Sequence, residues 1–384
     1  MKGKWIMIKI IEEPRVICSN RHSIHNVFAW PTVAKLQDGT LAMTASGFRM
    51  RHVCPFGKSV ICYSRDNGQT WSQPAVLIDT LLDDRDTGIL PYGEKNVIVT
   101  SFTDSTDFQR YAVDWVIKNL DSSLRQTLEN QYISAYLDIT DTLNPDEKYL
   151  GSGYIISHDG GYTFGKRHMC EISCPHGPAV LNNGKVIYVG TVWDKHIAKT
   201  AWKENNYLHL KCYILNDNEE FEYLSEITFN KEKVAEACEP HTIVLPDGKI
   251  IVHIRVQSSY EDDSAMCIYQ CESYDDGKSF TEPHQILEPG EGAPSHIMRR
   301  SDGTLIATYG HRNKPYGIRA MISHDNGETW ETGLTVCEPN KDARDLGYPS
   351  SVELPDGNIL TIFYACDHGR NHTEIFQVIW SLDD

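Results

Sequence analysis

The sequence predicts an all-β fold, a six-bladed β-propeller with a helical insertion in blade 2. Two repeated motifs and one segment that departs from them lead to this prediction. An octapeptide with turn chemistry occurs four times, a hairpin unit occurs six times, and one segment, 104–148, has the periodicity of helices. Recurrence of one supersecondary unit indicates a repeat architecture. Because propellers run long as one unit, we expect residues 1–384 to form a single domain.

The octapeptide has the form Ser-x-Asp-x-Gly-x-Thr/Ser-Trp/Phe, and each copy follows a run of β-forming residues. Its Asp can accept backbone N–H groups, and Asn-Gly or Asp-Gly supplies the positive φ of a tight hairpin turn. The aromatic residue is expected to pack beneath the turn. The four copies are Ser64–Trp71, Ser157–Phe164, Ser273–Phe280 and Ser323–Trp330.

A longer unit recurs six times beneath these turns. Each unit is a small or Pro-containing turn, an alternating apolar run, a second turn and another apolar run, which is typical of a hairpin of half-buried strands. The units are Trp30–Thr44, Gly88–Thr100, His176–Thr191, Glu239–Ile254, Ala293–Tyr309 and Tyr348–Tyr364. Six units with four octapeptides predict six blades, two of which lack the octapeptide.

The segment 104–148 interrupts the pattern after the second unit. Its apolar residues recur at three- and four-residue steps, and Asp121-Ser122-Ser123 predicts a break followed by a helix cap. We interpret it as an insertion in blade 2, which either covers the central pocket or packs on the rim. The last strand, Glu374–Trp380, is expected to close the ring with the N-terminal strand, because closure removes exposed sheet edges.

Composition and charge limit the function classes. The chain has 36 Lys and Arg against 53 Asp and Glu, a net charge of −17, so we expect no nucleic-acid and no membrane partner. The N-terminal apolar stretch is short and broken by Lys9, which favours a first strand over a signal peptide. Eleven cysteines scattered through strand-like runs favour buried free thiols and a cytoplasmic location. The sequence leaves a homo-oligomer open.

Candidate site residues follow from the repeats. Inner strands of all blades converge on a propeller axis, so the positions leading into them face a shared site. These positions are Trp30, Asp86, His176, Glu239, His296 and Tyr348, and neighbouring strand ends add Arg49, Arg51, His52, Arg255 and Arg312. Residues that only pack the centre of the propeller would not need this combination of acids, arginines, histidines and a tyrosine. The pocket histidines lack HxxxH or HxH spacing, so we predict no metal, and no motif indicates a cofactor.

These motifs resemble the sialidase superfamily of six-bladed propellers, in which the octapeptide is called the Asp-box. The box lies on the rim, so it implies a fold and no chemistry. The resemblance implies a Tyr nucleophile activated by a Glu, an Asp acid/base, and three arginines that bind a carboxylate. Tyr348 in GYPSSVELPDG resembles the nucleophile, and Glu239 in EPHTIVLPDG resembles its Glu. Arg255 and Arg312 resemble the second and third arginines.

Two features of the sialidase pattern are missing. The family's Phe-Arg-Ile-Pro aligns with FAWP, so Ala29 replaces the first arginine, and no carboxylate lies near Val53, where the acid/base is expected. We hypothesise that Arg49 or Arg51 supplies the missing cation. Asp86 or His52 would supply the acid/base. The remaining pocket positions, Trp30, His176 and His296, are expected to bind substrate.

The resemblance implies an exo-acting glycoside hydrolase that removes a terminal, acidic sugar from a small oligosaccharide or glycoside. The altered residues keep two alternatives open. One is a uronic-acid-directed or histidine-based glycosidase or lyase, with His52 or His176 as the base. The other is a glycan-binding propeller without catalysis.

Overall fold

The predicted six-bladed propeller is confirmed. A computed structural model describes residues 7–119, 123–204, 210–229, 234, 236–257, 265–292, 294–339, 344–366 and 372–383. Within these residues the strands form six antiparallel sheets, one per blade. In four blades each strand pairs with the next strand of the chain, which makes the sheet a meander. In blade 3 the two short inner strands both pair with the third strand, and in blade 6 the N-terminal strand is added at the outer edge.

The first three blades contain the thirteen strands that follow the N-terminal strand in chain order. Blade 1 contains β2 (Val27–Lys35), β3 (Leu41–Arg49), β4 (Lys58–Ser64) and β5 (Ala75–Ile78). Blade 2 contains β6 (Asp83–Tyr92), β7 (Asn96–Asp104), β8 (Gly151–Ser157) and β9 (His168–Cys170). Blade 3 contains β10 (Ile172–Ser173), β11 (Ala179–Val180), β12 (Val186–Val192), β13 (Leu210–Leu215) and β14 (Phe221–Ile227).

The other three blades repeat the arrangement. Blade 4 contains β15 (Glu236–Val244), β16 (Ile250–Gln257), β17 (Met266–Ser273) and β18 (His284–Leu287). Blade 5 contains β19 (Ser295–Arg299), β20 (Leu305–His311), β21 (Gly317–Ser323) and β22 (Glu331–Cys337). Blade 6 contains β23 (Leu346–Glu353), β24 (Ile359–Cys366), β25 (Thr373–Asp383) and β1 (Met7–Cys18).

The ring closes through its two terminal strands. The N-terminal strand β1 pairs antiparallel with β25, from Met7 opposite Asp383 to Cys18 opposite Ile375. The first strand of the chain is therefore the outermost strand of the last blade. This pairing covers the edge of β25 that an open array would expose.

The Asp-boxes have the predicted turn geometry. In the first copy, Asp66 Oδ1 accepts the backbone N–H of Thr70 at 2.9 Å and the hydroxyl of Ser64 at 2.8 Å. The turn residues Asn67 and Gly68 have φ of 56° and 87°. Hydrogen bonds from the side chain and backbone of Thr70 lower the pKa of Asp66 to about 2. The other three copies repeat the Ser–Asp hydrogen bond.

Four helices accompany the strands in the described part of the chain. Blade 2 carries α1 (Thr106–Asn119), α2 (Leu124–Thr140) and α3 (Pro145–Tyr149) between β7 and β8, with a 3-10 turn at Asp141–Leu143. The side chain of Ser123 caps α2 by accepting the N–H of Gln126, while Asp121 and Ser122 lie outside the described residues. None of these helices is long and apolar enough to cross a membrane.

The fourth helix, α4 (Lys195–Glu204), was not predicted from the sequence. It lies between β12 and β13 and packs against α1 and β7. A start signal was present: Asp194 Oδ1 accepts the backbone N–H groups of His196 and Ile197 at 2.8 and 2.9 Å. An Asp that accepts the first N–H groups is an N-cap, and ten residues were too few for a clear helical period.

Blades 2 and 3 meet near the axis by direct backbone contact. A Cβ added to Gly88 would lie 2.3 Å from the backbone nitrogen of Gly177. Backbone cannot move aside as a side chain can, so we expect Gly88→Ala to lower the free energy of unfolding by about 1–3 kcal/mol. Calorimetry would measure this as a lower Tm. Gly165→Ala is the control, because its added Cβ would meet Ile156 O at an ordinary 3.4 Å. Equal melting temperatures for the two variants would contradict the prediction.

Candidate active site

Four inner strands carry a residue with left-handed backbone at the equivalent place. Trp30, Asp86, Glu239 and Tyr348 have φ of 53°, 43°, 50° and 47°. Each lies where the pairing with the next strand shifts register. From the repeats these positions were predicted to lead into the inner strands, but they lie at irregularities within β2, β6, β15 and β23. Such irregularities redirect side chains, and positive φ in residues other than Gly concentrates at functional sites.

Tyr348 and Glu239 form a hydrogen-bonded pair across blades 6 and 4. Tyr348 Oη donates a hydrogen bond to Glu239 Oε1, and Arg255 Nη1 donates to Glu239 Oε2 at 2.8 Å. Burial raises the pKa of Tyr348 well above its usual range, and the negative charge of Glu239 adds to this shift. The phenol is therefore protonated, and Glu239 is placed to receive its proton. Gln257 holds Arg255 through a 2.6 Å hydrogen bond.

Arg312 lies beside the ring of Tyr348. Its guanidinium carbon is 5.7 Å from the centroid of the Tyr348 ring. Arg312 Nε donates to the carbonyl of Leu346 at 2.9 Å, and Nη2 donates to Tyr364 Oη at 3.0 Å. Tyr364 in turn donates to Asp345 at 2.8 Å. The two arginines that the sialidase resemblance indicated, at 255 and 312, thus both lie beside Tyr348.

Asp86 is a buried carboxyl group within electrostatic range of this pair. Its side-chain atom Oδ1 is buried and has no hydrogen-bond partner among the described residues. Burial raises the pKa of Asp86 to about 7, and Glu239 reinforces the shift while Arg85 opposes it. A carboxyl group with a pKa near neutrality can both donate and accept a proton at physiological pH. This is the property that a general acid/base requires.

His52, the other acid/base candidate, is held by an arginine. Arg85 Nη2 lies 3.2 Å from His52 Nε2, and because a guanidinium can only donate, Nε2 is the acceptor. His52 is an exposed residue that lines a cavity. Desolvation by the protein atoms around the ring and the positive charges of Arg85 and Arg49 lower the pKa of His52. His52 is therefore neutral and poorly suited to donate a proton.

Arg49 does not supply the missing first arginine of the sialidase pattern. Its side chain is completely buried, and it donates to Asp83 Oδ2 and to Ser46 Oγ, both at 2.8 Å. Its guanidinium lies 5.0 Å from the Trp30 ring centroid, and that of Arg85 lies 4.5 Å from it. The two arginines therefore fix Trp30. Sequence reasoning missed Arg85, although it lies in the conspicuous run DDRD at 83–86.

Arg51 contacts the helical insertion. Arg51 Nη1 donates to Asn130 Oδ1 on α2, and Nε donates to the carbonyl of Val53 at 3.3 Å. The residue lines a cavity of about 420 Å³ between the insertion and blade 1. The lining of this cavity joins residues of the insertion to Trp30 and His52.

His176 and His296 are buried and pack against a third histidine. With His241 they form a cluster of three rings, whose centroids are 4.4 to 5.3 Å apart. His241 Nδ1 accepts the backbone N–H of Ile297 at 2.9 Å, which places its proton on Nε2. Burial lowers the pKa of His296 to about 3 and that of His176 well below its usual range. These neutral rings contact one another, which corrects the prediction that 176 and 296 bind substrate.

Two family profiles and one curated relative match this chain. The sequence profile of a family described as "BNR repeat-like domain" matches residues 148–361, and a BNR/Asp-box repeat profile matches residues 63–73. A sialidase from Paraclostridium sordellii is 23% identical over 229 residues, which are 54% of this chain and 55% of the sialidase. The matched region therefore spans about half the length of that curated relative.

Two solved structures resemble the whole propeller. A protein of unknown function from Dyadobacter fermentans has a TM-score of 0.72 at 20% identity, with 98% of this chain and 99% of that chain covered. The NanB sialidase from Streptococcus pneumoniae has a TM-score of 0.64 at 13% identity, with 96% and 70% covered. At these identities the likeness establishes a shared fold.

Proposed function

This chain belongs to the BNR repeat-like family of sialidase-superfamily propellers, and from that premise we propose that it is an exo-acting glycoside hydrolase. The proposed substrate is a glycoside or small oligosaccharide with a terminal acidic sugar. One observation carries the proposal: Tyr348 donates a hydrogen bond to Glu239, which Arg255 holds from its other oxygen. A nucleophile paired with a base, and the base oriented by a third group, is the arrangement that covalent catalysis uses.

In the proposed first step, Tyr348 Oη attacks the anomeric carbon and its proton passes to Glu239. The bond from the anomeric carbon to the leaving oxygen breaks, and Asp86 gives its proton to that oxygen. In the second step, water attacks the same carbon and gives a proton to Asp86. The bond from that carbon to Tyr348 Oη breaks, and Glu239 returns its proton to Tyr348. A neutral phenol suits a sugar whose anionic group lies next to the reacting carbon, because a carboxylate nucleophile would be repelled.

The acidic group of the sugar would be bound between Arg255 and Arg312. A guanidinium binds a carboxylate through two parallel N–H groups, and both side chains are held in place by the hydrogen bonds described above. The replacement of the first arginine by Ala29 leaves two arginines here instead of three. We therefore propose an acidic sugar that differs from the usual sialic acid glycosides, or one bound with fewer contacts.

The alternatives receive less support. A histidine-based lyase would need His52 or His176 as the base, but Arg85 donates to His52 Nε2 and His176 is enclosed by His241 and His296. A glycan-binding propeller without catalysis has no need for a Tyr–Glu pair with a nearby carboxyl group of raised pKa.

The test is incubation of the full chain with sialosides, uronic-acid oligosaccharides and neutral oligosaccharides, with products followed by mass spectrometry. We expect release of a terminal acidic sugar with uptake of one water molecule, and no release by Tyr348→Phe. Cleavage without water uptake, together with the ultraviolet absorbance of an unsaturated uronate, would instead establish elimination. Binding without turnover of any substrate would establish the glycan-binding alternative.

A further inference from the structure

The cavity of about 420 Å³ beneath the insertion has a predominantly apolar wall. One side is a stripe on α1 formed by Phe108, Tyr111, Ala112, Trp115 and Val116. The steps of three, one, three and one residues place this stripe on a single helix face. We call this cavity the insertion chamber. Its volume lies within the range of about 300–1,000 Å³ that is typical of small-molecule sites.

The α1 stripe is not the surface that attaches the insertion to the propeller. That role belongs to Val113, which is buried in a cluster with Met50, Ile133 and Leu137. Trp115, in contrast, retains 48% of its surface exposed although it lines the chamber. A helix that turns a row of large apolar side chains toward an open cavity indicates an apolar ligand, because soluble proteins rarely leave such surfaces uncovered.

The chamber borders the candidate active site. Its lining includes Trp30, His52 and Tyr364, and Tyr364 Oη accepts a hydrogen bond from Arg312. His52 contacts Arg85, the chain neighbour of Asp86. A general acid must lie beside the oxygen of the leaving group. The leaving group of the proposed reaction therefore departs on the side where the chamber opens.

The chamber also offers a polar contact. Arg51 is only 9% exposed and lines the chamber, and its Nη2 has no hydrogen-bond partner among the described residues. A buried N–H group without a partner is costly, and an acceptor oxygen on a ligand would satisfy it. A sugar chain would need many polar partners, whereas this wall combines one arginine with a broad apolar face.

We propose that the insertion chamber is an aglycone site for a flat, apolar leaving group of the aryl class that carries an acceptor oxygen. The term aglycone rests on the proposed glycoside hydrolase function. The preferred substrate class is then an acidic sugar joined to an aromatic alcohol, and the oligosaccharide expected from the sequence becomes the poorer substrate.

Binding of free 4-methylumbelliferone to the full chain, followed by fluorescence anisotropy, tests the site without turnover. We expect saturable binding that Trp115→Ala weakens about tenfold, because an aromatic contact is lost. Ala112→Phe should abolish binding by filling the chamber. Ile117→Ala is the matched control, since Ile117 is 60% exposed on the same helix and does not line the chamber. Absence of binding, or equal binding by wild type, Trp115→Ala and Ala112→Phe, would overturn the proposal.

A kinetic comparison links the chamber to catalysis. For the acidic sugar that the chain releases, the 4-methylumbelliferyl glycoside should have a KM about tenfold below that of the methyl glycoside. Trp115→Ala should remove this difference and leave the methyl glycoside unaffected. Turnover with equal KM for both glycosides would overturn the aglycone site while the hydrolase function stands. Trp115-dependent binding without turnover would support an aryl site in the chamber and contradict the hydrolase function.

Discussion

Tyr348→Phe is expected to lower kcat/KM by at least about 10³-fold, since loss of a nucleophile removes the covalent route altogether. The substitution deletes only Oη, the atom that donates to Glu239. Glu239 keeps its ion pair with Arg255, so the free energy of unfolding should change by no more than about 1–2 kcal/mol. Initial rates on the best glycoside of the panel, with melting curves of both proteins, would measure the two quantities.

Tyr364→Phe is the matched control for this prediction. Tyr364 lies beside Tyr348, with ring centroids 6.0 Å apart, and its Oη also bonds to a carboxylate, that of Asp345. Loss of this hydroxyl releases one hydrogen bond of Arg312 and should cost about tenfold or less in kcat/KM. Equal losses for the two Tyr→Phe variants would contradict the assignment of Tyr348 as the nucleophile.

Glu239→Gln should be nearly as damaging, because the amide cannot take the phenolic proton. If Tyr348 and Glu239 act as one unit, the double variant should be little worse than either single variant. Losses that multiply in the double variant would show that the two residues act independently. In that case the hydrogen bond between them would have no catalytic role.

The fold could be predicted because its signals are local. Each Asp-box contains its own turn chemistry: in the first copy, Ser64, Asp66 and Thr70 satisfy one another within seven residues. The alternating runs around these turns define the strands. Because the hairpin unit occurs six times, a wrong strand boundary in one copy would not change the predicted fold. Helix α4 occurs once, so no repetition supported it.

The site could be predicted only in part, because its geometry depends on contacts between residues of different blades. Tyr348 and Glu239 were identified from their places in the repeat and from the resemblance. Arg49 lies in blade 1 and Arg85 in blade 2, and both guanidinium groups contact Trp30, which a strand-end position cannot reveal. The positive φ of Trp30, Asp86, Glu239 and Tyr348 could not be predicted either, because it is uncommon in residues other than Gly.

The second large effect is expected at Asp86, and its pKa gives the effect a direction. With a pKa raised to about 7, Asp86 is a protonated acid below that pH and loses the proton above it. The kcat/KM of the wild type should therefore fall as pH rises through about 7. Asp86→Asn should lower kcat/KM for a methyl glycoside by about 10²–10⁴-fold and remove this alkaline decline.

The leaving group provides the control for that prediction. A 4-nitrophenyl glycoside needs little protonation, so Asp86→Asn should slow its bond-breaking step far less than that of the methyl glycoside. Asp86→Glu should recover part of the rate, because it restores a carboxyl group. Equal losses on the two glycosides, or an alkaline decline that survives in Asp86→Asn, would exclude Asp86 as the general acid.

The pH dependence of stability should reveal the raised pKa of Asp86 without any measurement of turnover. A carboxyl group whose pKa is raised in the folded protein binds more protons there than in the unfolded chain between about pH 4 and 7. Its contribution to stability is present at low pH and is lost as pH rises through about 7. Relative to wild type, Asp86→Asn should therefore gain stability across this window, by up to about 4 kcal/mol for a shift of this size. A pH-independent difference between the two melting profiles would mean that Asp86 is ionised throughout, and that a different group donates the proton.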